Sequence, residues 1–146
     1  MPVATAEFSE AWETFFRTTR RLRARAAKHP VAGLSLPQYQ LLELLREDDE
    51  ATVGELAEAA GVAAPTATRM LDCLARDEYV LRRHSQTDRR AVLVTLTPAG
   101  RAALESAHEQ ILDFRRRIFE SLAPEDREHA AALLTRMAAA MEEHLP

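Results

Sequence analysis

Four glycines and one cysteine in 146 residues set limits at once. No phosphate-binding glycine loop appears, and the lone Cys73 cannot close an internal disulfide, which fits a reducing compartment. Also missing is any apolar run near the roughly 18 to 20 residues that a bilayer span requires. The first thirty residues alternate charged and apolar groups instead of forming the apolar stretch of a signal peptide. The chain is therefore read as cytoplasmic, with no membrane partner. Its histidines His29, His84, His108, His129 and His144 are scattered, with only carboxylates such as Glu105 and Glu125 near His108 and His129. A metal site needs convergent ligands, so neither a metal nor a cofactor is expected. No Ser/His/Asp grouping is present, which argues against an enzyme.

What the chain does have is helix-forming material. It is 47% hydrophobic and 29% charged, and alanine, leucine, glutamate and arginine dominate. The length suits one folded unit with one main core. The net charge of −4 at first disfavours a polyanionic partner, but the charge is unevenly spread. Residues 1–34 carry +3, 35–60 carry −6, 61–101 carry +3 and 102–146 carry −4. A local basic face counts for more in binding phosphate than the whole-chain sum.

Periodicity predicts six helices and a hairpin. Phe8, Trp12, Phe15, Phe16, Thr19, Leu22 and Ala26 mark one face of a long helix from about Phe8 to Lys28, whose other face is arginine-rich. His29-Pro30 and Gly33 break it, and Ser35-Leu36-Pro37 starts a second helix running through Arg46. Glu47-Asp48-Asp49-Glu50 reads as a solvated turn. Thr52-Val53-Gly54-Glu55 matches a capping box and opens a third helix that Gly61 ends. Pro65 then sits in the first turn of a fourth helix, to about Glu78, with Ala67, Met70, Leu71 and Leu74 inward.

After Tyr79 the period becomes two: Val80 to His84 and Ala91 to Leu96 read as strands around the polar loop Ser85 to Arg90. Thr97-Pro98 opens a fifth helix whose Leu104, Ala107, Ile111, Phe114 and Ile118 have coiled-coil spacing. Pro124 opens a sixth, striped by Leu133, Leu134, Met137, Met141 and Leu145, with Glu125 and Asp126 at its positive end.

If the fourth helix buries its apolar stripe, then Thr66, Thr68, Arg69, Asp72, Cys73 and Arg76 lie on its open face. Arginine can reach guanine O6 and N7 in the major groove, and a threonine methyl can meet a thymine methyl. Taken alone, these are as well explained as ordinary solvated residues. The hairpin tip tightens the case: Arg89 and Arg90 have no packing use there, while the minor groove attracts arginine. Asp88 is expected to orient one of them, unless it merely forms a weak surface pair with Arg90.

The helix, turn and helix of Val53 to Asp77, followed by Asp88-Arg89-Arg90 and Leu96-Thr97-Pro98-Ala99-Gly100, resemble the MarR family of bacterial transcription regulators over nearly the whole chain. The resemblance implies a mainly α fold with a small β-hairpin wing: a winged helix-turn-helix region over 35–100, and helical dimerisation regions over 1–34 and 101–146. It implies a homodimer, cytoplasmic, that binds double-stranded DNA at a pseudo-palindromic operator, as a repressor responsive to a small molecule. By the same resemblance Pro65, Thr66, Thr68 and Arg69 would face the major groove, Arg90 would be the wing arginine in the minor groove, and Ser35 and Gln38 would touch phosphates; Arg76, Asp88 and Arg89 are counted with them as DNA-binding residues. Phe8, Trp12, Ile118, Leu133, Leu134, Met137 and Met141 would hold the dimer.

Two departures stand out. Ala64 occupies the place of a capping Ser, Asp or Asn at the fourth helix, and Cys73 that of a frequent basic residue. Cys73 has two readings, an inert thiol or a redox-responsive one, with Asp72 and Asp77 opposing the thiolate and Arg69 and Arg76 favouring it. Trp12, Phe16, Tyr39 and Phe114 either line an effector pocket or are ordinary packing. The rival to a DNA-binding regulator is a winged-helix module that binds proteins, which predicts an uncharged recognition face.

Overall fold

The computed structural model describes residues 3–145. In chain order the elements are α1 (Val3–Lys28), α2 (Leu36–Leu42) continued by a 3-10 turn (Glu43–Arg46), β1 (Ala51–Thr52), α3 (Val53–Ala60), α4 (Ala64–Arg76), β2 (Val80–His84), β3 (Val92–Leu96), α5 (Pro98–Ser121) and α6 (Pro124–Glu143). Two compact units contain them, Met1–His108 and Glu109–Pro146. No helix among the described residues is long and apolar enough to cross a membrane.

The first unit is organised by capped helix starts around a leucine core. Ser35 caps α2: its Oγ accepts the Gln38 N–H at 3.2 Å, and Gln38 Oε1 accepts the Ser35 N–H at 2.9 Å. Thr52 and Glu55 do the same for α3, at 3.1 and 2.8 Å. Each box satisfies two N–H groups that a helix end would leave unpaired. Gly61 ends α3 at φ +66, a left-handed conformation that a residue with a Cβ adopts only at a cost. The chain thus turns sharply into α4. Leu34, Leu41, Leu42, Leu45, Leu56, Leu71, Leu74, Val80, Val94 and Leu104 are fully buried and come from every element between the α1–α2 turn and α5 except β1. Each such side chain contributes about 1.5–3 kcal/mol on burial.

The sheet is larger than the expected hairpin. Its order is β1-β3-β2, all antiparallel, with Ala51 opposite Val94 and Thr52 opposite Leu93 on one side of β3. On the other side Val80 faces Leu96 and His84 faces Val92. Two residues are too short to show alternation, so β1 has no signal in the sequence. It ties the start of α3 to the wing.

Gly100, in the first turn of α5, packs so closely on the Tyr79 carbonyl that any side chain there would collide with it. Thr97 Oγ1 accepts the Gly100 N–H at 3.0 Å and donates to the Glu78 carbonyl at 2.6 Å, joining the start of α5 to the end of α4.

Several expected boundaries move. α1 begins at Val3, well before Phe8. The second helix tightens to 3-10 geometry after Leu42. Ala63, not Ala64, is the N-cap of α4, and no side chain caps it.

The long helices leave their apolar side chains open. Neither α1 nor α6 has a buried residue. The α5 seam starts buried at Leu104 and Ala107 but is half exposed by Phe114 (44%) and Ile118 (47%). In the second unit Arg127 caps the end of α5, donating to the Phe119 and Glu120 carbonyls with its guanidinium over the Phe119 ring.

Candidate nucleic-acid interface

The 13 residues of α4 divide as their spacing predicts. Ala67, Leu71 and Leu74 are buried and Met70 is half-buried, while Pro65, Thr66, Thr68, Arg69, Asp72, Cys73 and Arg76 are exposed. Thr68 Oγ1 donates to the Ala64 carbonyl at 3.0 Å, which fixes its rotamer and leaves its methyl as the freer contact group. Arg69 and Arg76 have no ion-pair partner among the described residues. Arg69 therefore reaches solvent from the second turn of the helix.

Asp72 is different. Its Oδ1 receives Arg82 Nη1 of β2 at 2.6 Å. A lone carboxylate on this face would repel phosphate, and here it is paired with a residue of β2. Arg83, the next residue on β2, reaches Glu50 Oε2 at 2.6 Å. So Glu50 is not simply part of a solvated turn: it holds the wing from the other side. Arg82 and Arg83 were missed in the sequence because a paired and an unpaired arginine look alike there. The one available hint was that successive β residues point to opposite faces, so the two must seek different partners.

The wing tip is a structured loop. Ser85 Oγ accepts the N–H groups of Thr87 and Asp88, both at 3.3 Å, and the Ser85 N–H donates to the Ala91 carbonyl at 2.9 Å. Asp88 does not pair with either arginine side chain. Its Oδ1 accepts the Arg90 backbone N–H at 3.0 Å, and its carbonyl accepts the Ala91 N–H at 3.1 Å. The expected orienting role is thus exerted on the backbone, through an Asx turn, which a carboxylate two residues back is well placed to make. Arg89 and Arg90 stay exposed without ion-pair partners among the described residues.

Ser35 and Gln38 are engaged in the α2 cap, so what remains for an anion is the Ser35 hydroxyl proton and the Gln38 amide NH2. Cys73 is a free, exposed thiol.

Of the aromatic residues proposed for an effector pocket, Trp12 and Phe16 are neighbours on α1 and Tyr39 is buried on α2. Trp12 packs on Phe16 at 4.6 Å between ring centroids and on Phe8 at 5.7 Å, within α1. Phe114 lies in the second unit. Tyr39 is 3% exposed and its hydroxyl donates to Glu43 Oε1 at 3.1 Å. A phenol has one proton, so the 2.8 Å contact with His108 Nδ1 requires His108 to donate there. Arg46, at the end of the 3-10 turn, pairs with Glu105 of α5 at 3.5 Å. The described residues contain no group of three or more His, Cys, Asp or Glu able to hold a metal ion.

Comparison with known proteins agrees with this arrangement. The sequence profile of the MarR family matches residues 34–92. The HTH-type transcriptional regulator YfiV of Bacillus subtilis, itself uncharacterized, is 31% identical over 109 residues, 75% of this chain and 68% of that protein. The HTH-type transcriptional repressor YetL of the same organism is 41% identical over 75 residues, 50% of this chain and 45% of that protein. Among solved structures, BpsR of Bordetella bronchiseptica, whose DNA binding is regulated by 6-hydroxynicotinic acid, superposes with a TM-score of 0.71. It is 26% identical, covering 88% of this chain and 98% of that one. A 13-residue helix with an open arginine face, a three-stranded wing and these relatives together place the chain in the MarR family of DNA-binding transcription regulators, which are not enzymes.

Proposed function

We propose that the chain is a homodimeric repressor that grips a pseudo-palindromic operator and releases it when a small molecule binds. In this reading residues 35–100 form the DNA-binding region, and 1–34 with 101–146 the dimerisation region. The observation that carries it is the set of exposed arginines without ion-pair partners among the described residues on two adjacent parts: Arg69 and Arg76 on α4, Arg89 and Arg90 on the wing tip. Pro65, Thr66, Thr68 and Arg69 face base edges of the major groove, and Arg90, aimed by Asp88, enters the minor groove. Ser35 and Gln38 donate to phosphates.

The dimer reading is supported by the half-exposed apolar side chains Phe8 (54%), Ile118 (47%), Leu133 (50%), Leu134 (59%) and Met141 (43%), together with Trp12 and Met137. A lone chain would leave these in water. Repression is supported by YetL, and control by a small ligand by BpsR. A ligand shifts the two α4 helices only through unequal affinity for the two spacings. A cytoplasmic location follows from the same reading.

Footprinting the DNA beside the gene with purified protein tests this. Two protected half-sites about 34 Å apart are expected, one helical turn of DNA. Binding without sequence preference would overturn it.

A further inference from the structure

The second half of α1 carries a surface that the winged helix does not use. From Thr14 to Lys28 there are six cations, Arg17, Arg20, Arg21, Arg23, Arg25 and Lys28, and no acid. All six are exposed, and none has an ion pair among the described residues. At 3.6 residues per turn, Arg17, Arg21, Arg25 and Lys28 fall on one stripe. The apolar residues Phe8, Trp12, Phe15, Leu22 and Ala26 fall on the opposite side. The stripe therefore stays open whether or not the apolar side is covered by a second copy.

Helix-dipole stabilisation accounts for Arg25 and Lys28, which lie in the last turn, but its reach ends there. Arg21 and Arg17 lie about one and two turns before Arg25. Spaced four apart, Arg17, Arg21 and Arg25 repel one another, which weakens the helix rather than supporting it. A charge pattern that opposes its own helix and finds no ion-pair partner among the described residues points to a partner outside the chain.

We propose that this stripe is a second DNA contact, a phosphate-binding surface that holds duplex beyond the base pairs met by α4 and the wing. The inference rests on the DNA-binding reading above. The match is one of charge and length: Arg17 to Lys28 spans about 16 Å of helix, along which duplex DNA presents a phosphate charge about every 1.7 Å. Such a surface reads no sequence. It adds affinity on long DNA and steepens the salt dependence.

The test compares the full-length protein with the variant Arg17→Gln, Arg21→Gln, Arg25→Gln, Lys28→Gln, in which glutamine keeps the helix-forming tendency. Circular dichroism and sedimentation confirm fold and assembly, and Arg90→Ala serves as a wing control. Binding is followed by anisotropy from low to high salt, on the footprinted operator alone and on the same operator with 15 base pairs of flanking duplex on each side. With the flanks, the quadruple variant should lose about 0.9 in the slope of log K against log salt for each contact removed, up to about 3.6 per protomer and about 7.2 per dimer. On the bare operator its slope should stay near wild type, and its base preference should be unchanged.

An unchanged slope on the flanked DNA, with Arg90→Ala still lowering it, overturns the stripe and leaves the DNA-binding reading intact. Failure of the wild type to bind either DNA removes that reading and the stripe with it. Equal losses on both DNAs would place the stripe inside the operator footprint and also overturn the flanking contact. Binding of the wild type, but not the variant, to anionic phospholipid vesicles, with DNA slopes unchanged, would assign the stripe to a membrane surface instead.

Discussion

Arg82 on β2 and Asp72 on α4 meet at 2.6 Å, so an ion pair ties the wing to the helix beside it. Both side chains keep access to water, 32% and 49% exposed, so the pair is screened. A double-mutant cycle with Asp72→Ala and Arg82→Ala should give a coupling of only about 0.2–1 kcal/mol in urea unfolding. The effect of this tie belongs to geometry rather than stability. A coupling well above that range would mean that the pair is a main support of the fold.

Arg90 and Arg69 should respond differently to truncation. On the proposed reading Arg90→Ala removes a charge from a sequence-poor groove, so it should weaken all operators alike and lower the salt slope by about 0.9 per half-site. Arg69→Ala should change base preference by about 1–3 kcal/mol at one position per half-site. Binding titrations on a set of singly substituted operators separate the two patterns; identical behaviour of the two variants would contradict the assignment.

Asp88 acts through the Arg90 N–H at 3.0 Å, so the shape of its side chain matters more than its charge. Asp88→Asn keeps the acceptor and should bind DNA nearly as the wild type does. Asp88→Ala loses a hydrogen bond of about 0.5–1.5 kcal/mol and should loosen the tip. Amide hydrogen exchange at Arg90 reports this directly: it should speed up in the alanine variant only.

The start of α4 lacks a cap, because Ala63 offers no acceptor. Ala63→Ser should stabilise the chain by about 0.5–2 kcal/mol, seen as a higher melting temperature. Ala123→Asp should do the same for α6, which is also uncapped. No gain at either position would show that water already satisfies these helix ends.

Ile118→Glu and Leu134→Glu place charges on side chains that are 47% and 59% exposed in a single copy. Folding of one chain should tolerate them, whereas an interface built on them should not. Light scattering after size exclusion should show monomers with wild-type helical content. Dimers persisting in both variants would move the interface elsewhere.

Much of this molecule could be read along the chain, because its signals are local. A capping box joins residues three apart, so Thr52 with Glu55 announces α3, and the stripe Ala67, Leu71, Leu74 needs only the helical period to be seen. The same logic gave the open face of α4 and the wing, since an exposed position follows once the buried ones are known. β1 was not legible: its two residues become a strand only by pairing with β3, more than forty residues later. The role of Asp88 was legible only in part, because the sequence shows a carboxylate beside two arginines but not that it bonds to backbone.

Sequence alone thus determined the helices, the buried sides of α3 and α4 and the placement of arginine on one short helix and one loop tip, since period and local hydrogen bonding act within a few residues. Tertiary structure alone decided which charges are spent. Arg82 and Arg83 are held by Asp72 and Glu50, while Arg69, Arg76, Arg89 and Arg90 remain unpaired among the described residues. The reason is that an ion pair depends on distance in space, which folding sets by bringing β2 against α4 and the turn before β1.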